Sequence, residues 1–118
     1  MTMGRAASDE FSPVQTIQFI GLTATDAAGA GVGAQTKEIL HRIDNLLREA
    51  GTDKSELIHA NIWLRNIKSF SEMDAIWDAW VVPGGTPRRT TFEDRGLPRS
   101  CDVRVDLVAW RRTEEHDG

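Results

Sequence analysis

The sequence predicts an α+β domain in which two amphipathic helices pack on one face of a β-sheet. Three observations point there. Apolar residues recur with a helical period over residues 34–50 and again over 70–80, and with a period of two over 55–67. Extended runs rich in β-branched residues open and close the chain, at 14–23 and 102–111. Gly- or Pro-bearing turns separate most of the runs, which gives the order β-α-β-α-β-β and a two-layer sandwich. A chain of 118 residues is one domain with enough length to bury a single core.

Each element has its own signal. Residues 1–12 are small and polar without periodicity and read as a flexible terminus, as do residues 113–118. The domain therefore spans 13–112. Val14, Ile17, Phe19, Ile20 and Leu22 make the first extended run, whose alternation is imperfect and which is also compatible with a hairpin. Asp26 and the glycines at 29, 31 and 33 mark a loop. The helix over 34–50 puts Ile39, Ile43, Leu46, Leu47 and Ala50 on one face and Lys37, Glu38, His41 and Arg42 on another. Gly51 then stands where a left-handed residue ends a helix. In the period-two run, Ile58, Ala60, Ile62 and Leu64 should face the helices. His59, Asn61, Trp63 and Arg65 make the opposite face, which suits a partly covered surface such as a subunit contact. Ser69-Phe70-Ser71-Glu72 fits a capping box, and Phe70, Met73, Ile76, Trp77 and Trp80 form the stripe of the second helix. Pro83-Gly84-Gly85 stops it. Residues 88–93 and 102–111 are the last two strands, joined through Gly96-Leu97-Pro98.

Composition narrows the function classes. The net charge is −4 and the basic residues are scattered, which argues against a nucleic-acid or anionic-membrane surface. No apolar run reaches the roughly 20 residues of a membrane helix, and no signal-peptide pattern opens the chain, so the default compartment is the cytoplasm. One cysteine, Cys101, excludes an internal disulfide and reads as a small packing residue. His41, His59 and His116 have no partner at metal-ligand spacing, and the glycines at 29, 31 and 33 lack the Lys-Ser/Thr ending of a phosphate loop. Neither metal nor cofactor is implied. Four tryptophans occur without a tyrosine, and core packing is the first expectation for each.

The chemistry concentrates at Thr86-Pro87-Arg88-Arg89-Thr90-Thr91. Adjacent strand residues point to opposite faces, so one arginine faces solvent while the other enters a cleft. A guanidinium fixed on a strand suits a planar carboxylate, which it holds through two parallel hydrogen bonds. By position alone, Arg89 would pair with Glu93 or Asp94 at the surface, and Asp106 with Arg104 or Arg89.

Pro87-Arg88-Arg89-Thr90-Thr91, the Gly96-Leu97-Pro98 turn and the strand Val103-Arg104-Val105-Asp106-Leu107-Val108-Ala109 resemble the C-terminal half of the YjgF/RidA family of enamine/imine deaminases. Gln35-Thr36, Glu49-Ala50-Gly51, Asp53-Lys54-Ser55, Asn61-Ile62-Trp63-Leu64, Phe70-Ser71-Glu72-Met73 and Ile76-Trp77-Asp78-Ala79-Trp80 agree with it in order. The resemblance covers about residues 14–112. It implies a chorismate-mutase-like arrangement, two helices on one face of a mixed sheet, assembled as a homotrimeric barrel with ligand clefts between subunits.

It also implies roles. Arg89 falls on the arginine that binds the substrate carboxylate, with Arg88 at a variable, solvent-facing position. Asp106 stands where an acid, usually glutamate, positions the attacking water; here the side chain is one methylene shorter. Thr91 replaces a frequent cysteine and offers a hydroxyl to the water or the leaving nitrogen. Gly21 matches a glycine whose backbone lines the cleft, and Thr90 lies beside the anchor. Ile20 stands where deaminase-active members have serine, which favours a less polar pocket. Asp74, where many relatives carry asparagine, reads as an exposed helix acid. The expected activity is cofactor-free hydrolysis of an enamine or imine of a small carboxylic acid to a keto acid and ammonia. A non-catalytic carboxylate-binding trimer and a pathway-specific enzyme acting on a larger, more apolar substrate share the same anchor and stay open.

Overall fold

The computed structural model describes residues 14–112; both segments read as flexible termini, and His116 with them, lie outside the described residues. The elements are β1 (Val14–Leu22), α1 (Val32–Glu49), a 3-10 turn (Lys54–Glu56), β2 (Leu57–Leu64), a second 3-10 turn (Ile67–Ser69), α2 (Phe70–Trp80), β3 (Arg88–Glu93) and β4 (Val103–Arg112). The four strands form one sheet in the order β1-β4-β2-β3. β4 runs antiparallel to both β1 and β2, and β3 runs parallel to β2. The parallel pair is the one joined through a helix, since parallel neighbours need a crossover. The expected α+β class and mixed sheet are therefore present.

Both helices lie against one face of the sheet. Ile39, Ile43 and Leu47 of α1 and Met73 and Trp77 of α2 are sealed against Ala60, Ile62, Leu64, Val103, Val105 and Leu107. Each large side chain buried in this way contributes roughly 1.5–3 kcal/mol. Gln35 is fully buried and fixes α1 to the segment before β4: its Nε2 donates to Ser100 O at 3.0 Å, and its Oε1 accepts from Asp102 N at 2.8 Å. Gly51 takes φ 81°, and Thr52 N bonds back to Leu47 O at 2.9 Å, closing α1 as expected.

Several local expectations are corrected. α1 begins at Val32 rather than residue 34, because Val32 is itself a buried core residue. The helix-facing set of β2 starts with Leu57, not Ile58, since a register shift between Leu57 and His59 resets the alternation. The capping box at Ser69 does not form. Asn66 instead caps the 3-10 turn through Lys68 N, and Ser69 Oγ donates to Asn66 O at 2.7 Å. The first extended run is a single strand within the described residues, paired to β4 and irregular between Phe19 and Leu22.

Candidate active site

β3 is short and lies at the sheet edge. Its register with β2 sets Arg89 opposite Ala60 and Thr91 opposite Ile62, both of which face the helices. Arg88, Thr90 and Phe92 sit opposite His59, Asn61 and Trp63 on the other face. The two adjacent arginines therefore do part to opposite faces, with Arg88 exposed.

Arg89 reaches over α2. Its guanidinium carbon lies 5.4 Å from the Phe70 ring centre and 5.7 Å from that of Trp77, within cation–π range. Nη2 meets Asp74 Oδ1 at 2.7 Å, while Nη1 is buried with no hydrogen-bond partner among the described residues. Glu93, a surface partner expected from position, instead pairs with Arg95 at 3.5 Å and accepts from Ile67 N. Asp74 is thus no bystander on the helix surface. It lies four residues after Phe70 and three before Trp77, so helical geometry brings it to the same face, and this spacing was the signal that could have found it.

Asp106 emerges on the face away from the helices. Its Oδ1 accepts from Gly21 N at 2.7 Å, across the β1–β4 pair. Arg104 Nη2, on the same strand, lies 3.3 Å from both oxygens. Gly21 has φ 74°, in the left-handed region, at the irregularity between Phe19 and Leu22. The bulge turns its amide out of the ladder and toward the carboxylate. Ile20 beside it is 65% exposed. Arg104 also stacks over Trp63, 4.4 Å to the ring centre, and Trp63 stacks on Phe92 at 5.3 Å. No helix of the described residues covers this face, which carries an aromatic and charged surface.

The structure thus brings Asp106, Gly21 and Ile20 together at the β1–β4 junction, with Thr90 on the same face two strands away. It holds Arg89 and Thr91 on the opposite face. Cavities of about 370, 300 and 640 Å³ open elsewhere: one beside Thr52, Asp53 and Trp110, one between the helices beside Trp80, and one beside Asn45, Arg48 and Lys54. None of these reaches Arg89 or Asp106. Cys101 is buried, and burial pushes its thiol above the ordinary value, as a packing residue requires. Among the described residues, no group of three or more His, Cys, Asp and Glu side chains could hold a metal, and no helix is long and apolar enough to cross a membrane.

Comparison with known proteins fits this geometry. Residues 14–111 match the family model described as endoribonuclease L-PSP. A RutC family protein of Haemophilus ducreyi is 36% identical over 91 residues, 77% of either chain. The RutC family protein YoaB of Escherichia coli is 36% identical over 75 residues, which cover 64% of this chain and 66% of YoaB. A crystal structure of a YjgF-family protein from Neisseria meningitidis superposes with a TM-score of 0.77 at 33% identity, covering 82% of this chain and 80% of that one. RidA from an Antarctic Psychrobacter shares the fold, with a TM-score of 0.73 at 18% identity over 80% of each chain. The chain belongs to the YjgF/RidA family.

Proposed function

We propose that the protein is a cytoplasmic, cofactor-free deaminase. It hydrolyses the enamine or imine of a small carboxylic acid to a keto acid and ammonia, in a cleft completed by a neighbouring subunit of a homotrimer. The observation that most supports this reading is the Asp106 carboxylate, fixed by the Gly21 amide at 2.7 Å on the uncovered sheet face. Its Oδ2 is met by Arg104 at 3.3 Å and keeps acceptor capacity for a water. That water's oxygen adds to the C=N carbon, the nitrogen takes up protons, and the C–N bond breaks to release ammonia. Arg89 holds the substrate carboxylate and Thr91 offers its hydroxyl to the nitrogen. Most of the acceleration is then orientation.

Arg89 and Asp106 leave opposite faces, on strands separated by β2 and so about 10 Å apart. One chain cannot close both on a small molecule. The reading therefore requires Arg89 of one subunit and Asp106 of the next, and the uncovered aromatic face around Trp63 is the surface available for that assembly. The family description names an endoribonuclease, but a net charge of −4 with scattered bases counts against RNA as substrate.

A second reading, a non-catalytic carboxylate-binding trimer, is favoured by Asp74's hold on Arg89 and by the short reach of Asp106. One assay separates them. An amino-acid oxidase generates the imine, and ammonia release is followed with and without the protein. Acceleration is expected, slower in Asp106→Ala and faster in Asp106→Glu, because a displacement of about 1 Å can change a rate by about 100-fold. No acceleration by the parent would leave the binding reading.

A further inference from the structure

The Arg89–Asp74 pair has a chemistry of its own. The two side chains come from different elements, β3 and α2, yet meet at 2.7 Å on an aromatic floor of Phe70 and Trp77. They remain 19% and 30% exposed. Nη1 is enclosed, so the exposed part of Arg89 is its other edge. Nη2 carries two N–H groups, of which one Asp74 oxygen engages one. Asp74's second oxygen makes no hydrogen bond among the described residues and is free to accept.

A ligand arriving here meets a positive and a negative group side by side. A simple carboxylate gains from Arg89 and is opposed at nearly the same distance by Asp74, so the two contributions largely offset. A ligand with a carboxylate and an adjacent N–H⁺ meets both groups with the correct sign. In an α-amino or α-iminium acid both groups are carried by the same α-carbon, a separation that matches two partners themselves in direct contact.

We infer that Asp74 is a specificity-determining residue, and that the Arg89–Asp74 pair selects zwitterionic ligands: the carboxylate goes to Arg89 and the ammonium or iminium N–H to Asp74. The inference rests on the deaminase reading in one respect, since it names the protonated imine as the form bound. That form is also the better electrophile. Water adds to the iminium carbon and the C=N π pair moves to nitrogen; protons pass from the added oxygen to that nitrogen, and C–N cleavage with formation of C=O gives keto acid and ammonium without any other reactant. Asp74 holds the N–H during addition and takes no proton.

Alanine and propanoate test this, because they differ only in the amino group and neither turns over. Affinities are measured by calorimetry on the parent and on Asp74→Asn, with Arg89→Ala as the anchor control and with melting curves and mass checked first. The parent should bind alanine about tenfold or more tighter than propanoate, the scale of one charge-assisted hydrogen bond. Asp74→Asn should weaken alanine, strengthen propanoate and bring the two together. Arg89→Ala should lose both. Equal affinities in the parent, binding of neither probe, or an Asp74→Asn variant that moves both probes alike would overturn the inference. Its fate separates from that of the proposed reaction. A parent that selects alanine but never speeds ammonia release keeps the zwitterion site and loses the deaminase. Turnover with no selectivity does the reverse.

Discussion

The two faces of the sheet are made by alternate residues of the same strands. On the helix side β2 and β4 present Ala60, Ile62, Leu64, Val105 and Leu107, all fully or nearly fully buried. On the other side they present Asn61, Trp63, Arg104 and Asp106, all partly exposed. The first set is apolar and close-packed, and its contribution is stability. The second mixes an aromatic ring with opposite charges, and its groups keep unused bonding capacity. Folding therefore occupies one face and leaves the other uncovered, with Arg89 the exception: a charged group threaded onto the folding side at its edge.

The sharpest way to break this contrast is a pair of truncations. Leu107→Ala should cost about 2–5 kcal/mol in denaturant unfolding, through lost burial and a residual cavity. Trp63→Ala should cost the folded chain less and instead lower the mass seen by light scattering. If Trp63→Ala unfolds as easily as Leu107→Ala with its mass unchanged, the open face is a core and the assembly argument fails.

A second pair tests the arginines. Arg89→Ala should abolish turnover of carboxylate-bearing imines, a loss of about 2–5 kcal/mol for a buried charged contact. Arg88→Ala should stay within about 0.5 kcal/mol. Equal loss in both variants would reduce the pair to general charge. Loss in Arg88→Ala alone would move the site to the other face.

The smallest effect lies away from both faces. Glu38 accepts from Thr25 N, Thr25 Oγ1, Asp26 N and Ala27 N, which fastens the β1–α1 loop to α1. The Thr25 and Ala27 amides lower its pKa from the ordinary 4.5 to about 2. The folded value lies below the unfolded one, so this stabilisation is complete above about pH 4.5 and is lost as pH falls through about 2. Exchange of the Thr25–Ala27 amides should quicken over that window in the parent, and be fast and pH-flat, after correction for intrinsic rates, in Glu38→Gln.

Most of the fold could be read from periodicity. Both helices and the last strand followed from apolar spacing, the strand at 88–93 from the Pro83-Gly84-Gly85 break and Pro87 before it, and Arg88 and Arg89 parted as strand geometry requires. What escaped depends on contacts distant in sequence. Ser69 had the capping-box letters, but the chain enters α2 through a 3-10 turn already capped by Asn66. Leu57 replaced Ile58 because a bulge is set by strand pairing rather than by composition. Asp74 looked solvated because its partner lies 15 residues on: helical spacing puts it on the face of Phe70 and Trp77, but only the packing of β3 beside α2 brings Arg89 there. The Gly21–Asp106 bond spans 85 residues and needed the β1–β4 register.

β3 has one further consequence. It runs along the sheet margin, with one row of its backbone groups bonded to β2 and no strand beyond it among the described residues. Such a row is a template for any extended chain, including a partly unfolded copy. Pro87, which has no N–H to offer, stands at its entrance, and Arg88 follows, exposed. An invading strand would meet a missing donor first and then have to dehydrate a guanidinium. Arg88 and Pro87 together thus make this edge a poor template for aggregation.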